Sequence, residues 1–241
     1  MLGDFQLTYK KYGTSAVLIE WPEQINKRIL KDIQILFQKI SLLEFEGIVD
    51  VNFVYCSMLV IFNPTAITFN TLKARLKNVY NEEVQIQDSK RKRWRIPVCY
   101  EIEFAPDLLA FAKRKGISEV ELIQLHTKPI YTIYGMGFLP GFTYLGGLPD
   151  KLFMPRKETP SLNIAKGSVA IGGHQTGIYP QNSPGGWQVI GRTPIVIFDS
   201  NRENPSLVSV GDEIAFYAVS KAKFELITLE LESDVYKFEE I

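Results

Sequence analysis

The chain has 241 residues, 46% of them apolar and 22% charged, ordinary for a soluble globular protein and enough for one large domain or two small ones. Its 27 basic residues balance 27 acidic ones, so no net field draws it to nucleic acid or to an anionic membrane surface. No apolar run approaches the roughly 20 residues that span a bilayer, and Met1-Leu2-Gly3-Asp4-Phe5 lacks the basic and apolar regions of a signal peptide, so a cytoplasmic location is expected.

Two strands open the chain, Phe5–Lys10 and Ala16–Trp21, the second alternating Val17, Ile19 and Trp21 with Ala16, Leu18 and Glu20. Pro22 suits a first helical position, and Ile25, Ile29, Leu30, Ile33, Leu36, Phe37 and Ile40 recur at helical spacing to about Ser41. Strands Gly47–Asn52 and Ser57–Phe62 follow, joined through Phe53–Cys56. Asn63-Pro64 then breaks the chain before a second amphipathic helix marked by Phe69, Leu72, Leu76 and Tyr80. The order ββαββα over residues 1–88 predicts an α+β domain of two layers, with helices on one face of an antiparallel sheet.

Asp88-Ser89-Lys90-Arg91-Lys92-Arg93 is polar, basic and without periodicity, and it marks the boundary to a second domain over residues 94–241. It reads as a solvated linker or as a basic contact for a partner or phosphate. Trp94–Tyr100 is the first strand beyond it. Pro106-Asp107 opens a short helix stopped by Gly116, and Ser118 with Glu121 forms a capping-box pattern for a helix running towards His126. Short apolar runs at Ile130–Tyr134, Ser168–Ile171, Trp187–Ile190, Ile195–Asp199 and Glu213–Val219 alternate with Gly/Pro turns, which predicts a mainly-β, closed or nearly closed barrel. Phe224–Ile241 carries no assignment. Cys56 and Cys99 lie in separate apolar segments without metal or redox spacing and are expected to be reduced core residues.

The chemistry concentrates in residues 135–193, which hold 12 of the 17 glycines interleaved with Phe138, Phe142, Tyr144, Tyr179 and Trp187. Glycine opens space for close backbone approach and the aromatics wall it, so a rigid, turn-rich pocket is expected. The chain has no Gly-x-x-x-x-Gly-Lys-Ser/Thr loop, Gly-x-Ser-x-Gly elbow or His-Glu-x-x-His, and with only His126 and His174 no transition-metal site is expected. His126 has two readings: a cap at a helix end, or a proton carrier leading into the strand that delivers Gly137-Phe138. His174 sits in a glycine-rich turn where exposure explains it as well as function does. Arg156 and Arg192 each lie beside a turn and suit bidentate anion binding, although structural pairing explains them equally well. Ser183-Pro184-Gly185-Gly186-Trp187 offers successive N–H groups as an anion nest or forms a plain turn. Gln175, Thr176 and Tyr179 add neutral donors and acceptors that orient an amide or a small acid.

Gly137-Phe138-Leu139-Pro140-Gly141-Phe142-Thr143-Tyr144-Leu145-Gly146, Gly167-Ser168-Val169-Ala170-Ile171, Gln175-Thr176-Gly177-Ile178-Tyr179-Pro180 and Ser183-Pro184-Gly185-Gly186-Trp187-Gln188-Val189-Ile190-Gly191-Arg192-Thr193-Pro194 occur in this order. Together they closely resemble the family of the 5-oxoprolinase B subunit (PxpB), KipI and allophanate hydrolase subunit 1. The resemblance implies an N-terminal α/β domain followed by a cyclophilin-like β-barrel. It also implies a complex with a C subunit of the KipA or allophanate hydrolase subunit 2 family and with an A subunit, hydrolysing 5-oxo-L-proline to L-glutamate at the expense of ATP, with Mg. Phosphorylation of the amide oxygen would turn it into a leaving group, which calls for cations and N–H donors at developing negative charge.

On this view the catalytic candidates are His126, Arg156 and Arg192. Phe138, Pro140, Phe142, Tyr144, Tyr179 and Trp187 wall the substrate site, and Gln175, Thr176, Ser183, Gly185 and Gly186 supply its polar contacts. The family more often has Arg after Pro160, where this chain has Ser161, so any anion contact of that Arg is lost or replaced. Two alternatives come with the family: inhibition of a sensor histidine kinase by a KipI-like binding module, and an allophanate- or urea-type amidohydrolase subunit. Prolyl isomerisation rests on the fold alone.

Overall fold

The computed structural model describes residues 5–43, 45–84 and 91–241; Met1–Asp4 and the Asp88–Lys90 part of the polar boundary lie outside the described residues. The chain divides into two units, Met1–Lys90 and Arg91–Ile241, each with its own hydrophobic core. Among the described residues no helix is long and apolar enough to cross a membrane.

Unit one runs β1 (Thr8–Tyr12), β2 (Ala16–Glu20), α1 (Lys27–Leu42), β3 (Ile48–Val54), β4 (Ser57–Phe62) and α2 (Phe69–Asn81), with an antiparallel sheet in the order β1-β2-β4-β3. Alternation along β2 and β4 buries Val17, Ile19, Met58 and Val60 against Ile29, Ile33 and Leu36 of α1 and Leu72 and Leu76 of α2. Helix α1 starts at Lys27 and not at Pro22, because the Asn26 side chain caps it by accepting the Arg28 N–H at 2.8 Å. Likewise β3 runs on to Val54, and Tyr55, at φ 57°, makes the turn. The buried Lys39 ammonium donates to the Val79 and Tyr80 carbonyls at 3.1 and 3.0 Å, satisfying open carbonyls in the last turn of α2 and tying the helices together.

Unit two contains β5 (Arg93–Cys99), α3 (Leu108–Lys115), α4 (Glu119–Thr127), β6 (Ile130–Met136), β7 (Thr143–Gly146), β8 (Ser161–Ile164) and β9 (Ser168–Gly172). After these come β10 (Gln175–Ile178), β11 (Ser183–Gly185), β12 (Gln188–Arg192), β13 (Glu213–Val219), α5 (Lys221–Glu232) and β14 (Glu239–Glu240). Seven strands close into a barrel in the order β12-β9-β10-β7-β6-β13-β5, with β5 returning to β12 at Cys99 and Arg192. Only β13 and β5 pair in parallel within the barrel, and β14 adds to the free side of β5. Strands β8 and β11 form a separate ribbon. The interior is filled from alternate positions, including Ile96, Val98, Tyr131, Ile133, Val169, Ile171 and Ile214.

The expected fold class, an α+β unit followed by a mainly-β barrel, is the observed one. Gly116, at φ 66°, ends α3 in the left-handed region, and the Ser118 hydroxyl accepts the Glu121 N–H at 3.1 Å at the start of α4. The Glu121 carboxylate pairs with Lys151. One expectation fails: Ile195–Asp199 is not a strand but buries Ile195 and Ile197 with a single bridge between Phe198 and Ser206. The unassigned tail holds α5, capped by the Ser220 hydroxyl, and β14. Both cysteines are free thiols, Cys99 buried and Cys56 half-buried, and burial pushes both up in pKa.

Candidate functional site

The outward-facing residues of the barrel wall carry a second apolar cluster, Phe142, Ile164, Ala170, Tyr179, Trp187 and Val189. Two glycines explain why aromatic rings lie flat on the strands here. A Cβ at Gly172 on β9 would stand 2.5 Å from the Trp187 ring, and one at Gly177 on β10 would meet Trp187 and Phe142 at 3.1 and 3.2 Å. Phe142 is the hub, edge-on to Phe138, Tyr144, Tyr179 and Trp187 at centroid distances of 5.8, 4.8, 5.0 and 5.4 Å. Edge-to-face packing is the favoured aromatic geometry, so the cluster is a rigid floor.

Above it lies a pocket of about 440 Å³. One wall is the loop between β6 and β7, closed by Gly137 N–H to the Phe142 carbonyl at 3.1 Å and Phe142 N–H to the Leu139 carbonyl at 3.0 Å. Phe138 stands there in the left-handed region (φ 70°) with 63% of its surface exposed. The opposite wall is the β8–β11 ribbon, where Gly185 admits the Tyr179 hydroxyl, 2.3 Å from the position a Cβ would take. Ser183 is buried, yet its hydroxyl has no hydrogen-bond partner among the described residues.

Arg156 brings positive charge to the pocket, its guanidinium 5.8 Å from the Trp187 ring centroid. Burial pushes the Tyr144 and Tyr179 hydroxyls up in pKa; the Trp187 N–H draws Tyr179 part of the way back, and the Arg156 charge does so for both. Both phenols are therefore neutral near pH 7. The backbone on either side of Arg156 is fixed. The Pro155 carbonyl accepts from Gln188 Nε2 at 3.3 Å, and the Lys157 N–H donates to the Gly186 carbonyl at 2.6 Å. The Lys157 ammonium lies 2.7 Å from the Asp107 carboxylate and donates to the Ser161 hydroxyl at 3.0 Å, while the same Asp107 oxygen accepts the Val189 N–H at 2.7 Å.

The pocket thus brings together the expected Phe138, Phe142, Tyr144, Arg156, Tyr179, Ser183, Gly185, Gly186 and Trp187. Five others fall elsewhere. Pro140 is exposed on its loop, and Leu139 takes the place in the wall. Gln175 is half-buried at the start of β10 and does not line the pocket. Thr176, its neighbour, has the opposite strand parity and is fully buried, donating to the Ala170 carbonyl at 3.0 Å. Arg192 Nε donates to the Lys166 carbonyl at 2.8 Å and is likewise absent from the lining.

His126 is the principal correction: it is fully buried, with Nδ1 2.7 Å from the Tyr100 hydroxyl and Nε2 3.0 Å from Thr176 Oγ1, and it stacks on Phe216 at 4.9 Å. Desolvation pushes its pKa down to about 3. A proton carrier needs solvent or substrate within reach, and this ring has neither pocket contact nor exposure. His174 remains exposed and stacks on Phe153 at 4.4 Å.

Sequence reasoning missed Leu139, Pro160 and Pro184 in the walls and the Asp107–Lys157 pair behind them. Asp107 stands at the N-cap position of α3, but its side chain makes no capping bond there. A carboxylate at a helix start reads the same in sequence whether it caps the helix or reaches away to a distant lysine, so no local signal could have found the pair.

Fold and site together describe an α+β unit joined in one chain to a closed barrel with an aromatic, arginine-bearing pocket on its wall. This is the class of the carboxyltransferase domain, subdomain C and D, whose family model matches residues 7–208. The B subunit of 5-oxoprolinase from Bacillus subtilis is 34% identical over 225 residues, covering 89% of this chain and 94% of the relative. Its counterpart from Haemophilus influenzae is 44% identical over 158 residues, covering 66% and 74%. Among solved structures, TTHA0988 matches with a TM-score of 0.75 at 30% identity over 85% of this chain, which spans 40% of that longer protein. The chain belongs to the 5-oxoprolinase B-subunit family.

Proposed function

We propose that this chain is the B subunit of an ATP-dependent 5-oxoprolinase, hydrolysing 5-oxo-L-proline to L-glutamate together with the A and C subunits, the latter of the KipA or allophanate hydrolase subunit 2 family. The observation that carries the reading is 34% identity over 94% of the Bacillus subtilis 5-oxoprolinase B subunit. The pocket supports it chemically. A five-membered lactam with one carboxylate needs an apolar box, a cation and neutral hydrogen-bonding groups, for which the pocket has Phe142 and Trp187, Arg156, and Tyr144 and Tyr179. Arg156 is assigned the carboxylate, because a guanidinium holds it through two parallel hydrogen bonds.

The one guanidinium in the pocket lining is given to the substrate carboxylate, so ATP is assigned to another member of the complex, and proton transfer, without His126, to the assembled site. A second reading, docking on a sensor histidine kinase, draws on the exposed Phe138, since aromatic anchors dominate binding energies.

The test is 5-oxoproline-dependent ATP hydrolysis with direct detection of glutamate, by this chain with the A and C subunits and by mixtures lacking each. Glutamate is expected from the full mixture alone; its absence from an intact complex, with kinase binding by the same preparation, moves the assignment to the second reading. In the active complex, Arg156→Met is expected to lower kcat/KM for 5-oxoproline by roughly 10- to 100-fold, the value of a hydrogen-bonded charge pair. An unchanged kcat/KM removes Arg156 from substrate binding.

A further inference from the structure

We infer that Phe138 is the cover of this pocket: its ring closes on the face of the bound lactam, and the loop between β6 and β7 holds it there at a cost in backbone conformation. This rests on the lactam reading of the pocket and adds to it the residue that shuts the ligand in.

At φ 70° Phe138 occupies the left-handed region, which a bulky side chain rarely takes. Among the described residues two other non-glycine residues share that region, Tyr55 in the turn between β3 and β4 and Asp234 just beyond α5. A tight turn and a helix end each call for such a conformation, so both have a local reason. Phe138 is the one of the three that lines a pocket. Its loop cannot relax, because Gly137 and Phe142 bond it at both ends and Gly141 is pressed on Phe198, where a Cβ would stand 2.2 Å from that of the phenylalanine. Glycine is used on both sides, at Gly137 and Gly141, yet the position where it would relieve strain carries a large ring. Strain held in place at the wall of a pocket points to a role for the ring itself.

Packing within the protein does not supply that role. The ring is 63% exposed, and it stands against Phe142, the hub of the pocket floor, with centroids 5.8 Å apart and planes at 88°. It therefore sits beside the floor with most of its surface still in water. An aromatic ring gains most by leaving water, and a ligand resting on the floor gives Phe138 the apolar surface that the empty pocket lacks. Exposed side chains change rotamer freely, so the ring reaches the ligand with the backbone unmoved. Arg156 then takes the carboxylate, and Phe138 the face of the five-membered ring.

The experiment measures KM for 5-oxo-L-proline in the assembled three-subunit complex and the thermal unfolding of this chain alone. Phe138→Gly removes ring and strain together. It is expected to raise KM by about tenfold, and to lower no thermal midpoint of the chain by more than about 3 °C, because relief of strain offsets the lost ring contact. Phe138→Asn also suits the left-handed region and lacks the ring; it is expected to match the glycine variant, which separates loss of the ring from added backbone freedom. Phe138→Tyr keeps the ring and is expected to hold KM within about twofold. A larger fall in midpoint for the glycine and asparagine variants makes the ring structural and overturns the inference, as does an unchanged KM in either. Weakened assembly with the A and C subunits at unchanged KM gives the ring to a protein partner and overturns it too. Lack of turnover by the unsubstituted complex sinks the lactam reading instead, so the two failures are distinct.

Discussion

At His126 the hydrogen-bond geometry selects one neutral tautomer. Thr176 gives its hydroxyl proton to the Ala170 carbonyl and so accepts from Nε2–H, which leaves Nδ1 to accept from the Tyr100 hydroxyl. Tyr131 donates in turn to the His126 carbonyl at 2.8 Å. Burial holds the folded-state pKa at about 3, against roughly 6.5 in the unfolded chain. Between these values the unfolded state binds a proton that the folded state refuses. The stability contribution is therefore complete above about pH 6.5 and is lost as pH falls towards 3, with a limiting slope of about 1.4 kcal/mol per pH unit. His126→Gln removes this titration. Urea unfolding from pH 7.5 to 4.5 is expected to show a shallower loss of stability for the variant, and about 2–4 kcal/mol less stability at pH 7.5 from the disturbed Tyr100 and Thr176 bonds. Parallel pH curves for the two proteins would mean that the ring is not buried neutral.

One element of the site depends on a tether that lies behind it. Asp107, at the start of α3, anchors Lys157, and Lys157 reaches Ser161 at the head of β8 while its N–H holds Gly186. Three separate stretches are thereby fixed around Arg156. At position 161, where the resemblance leads one to expect Arg, the serine hydroxyl is occupied by this lysine. Lys157→Met leaves the half-buried Asp107 carboxylate with only the Val189 N–H, so a loss of about 1–2 kcal/mol is expected, together with a KM for 5-oxoproline raised roughly three- to tenfold at nearly constant kcat. Lys157→Arg restores the charge and is expected to recover most of the KM. Equal behaviour of the two variants would show that packing, and not the ion pair, holds the wall. Which elements can be read in the sequence follows from where each one's partners lie. Helices α1 and α2 and strands β2 and β4 have one face in the core, so their periodicity is visible in the residues themselves. Strands β7 and β10 are four residues each, rich in Gly and Thr, and exist because neighbours on both sides pair with them. Helix α5 leaves Leu226 and Leu229 exposed, which blurs its pattern. In the site, the glycine and aromatic types pointed to a pocket, but whether Gln175, Thr176 or His126 faced in or out was decided by barrel closure, a long-range property.

The whole molecule carries two independent apolar clusters of domain size, one built from residues between Val17 and Tyr80 and the other from residues between Trp94 and Ile227. A core is the unit of cooperative unfolding, so two thermal transitions are expected by calorimetry. Leu72 is fully buried in the first core, and Leu72→Ala should cost about 2–5 kcal/mol there. For a domain of this size that lowers one transition by on the order of 10 °C or more. The other transition, belonging to the barrel, should stay in place and retain its response to pocket ligand, because a ligand stabilises the folded unit that binds it. If Leu72→Ala instead moves a single transition that also responds to ligand, the units unfold as one, and a partner binding the first unit can then tune the pocket through stability alone. Two separate transitions require any such coupling to be supplied by the other members of the complex, which is the arrangement an assembly dependent on all of its components would have.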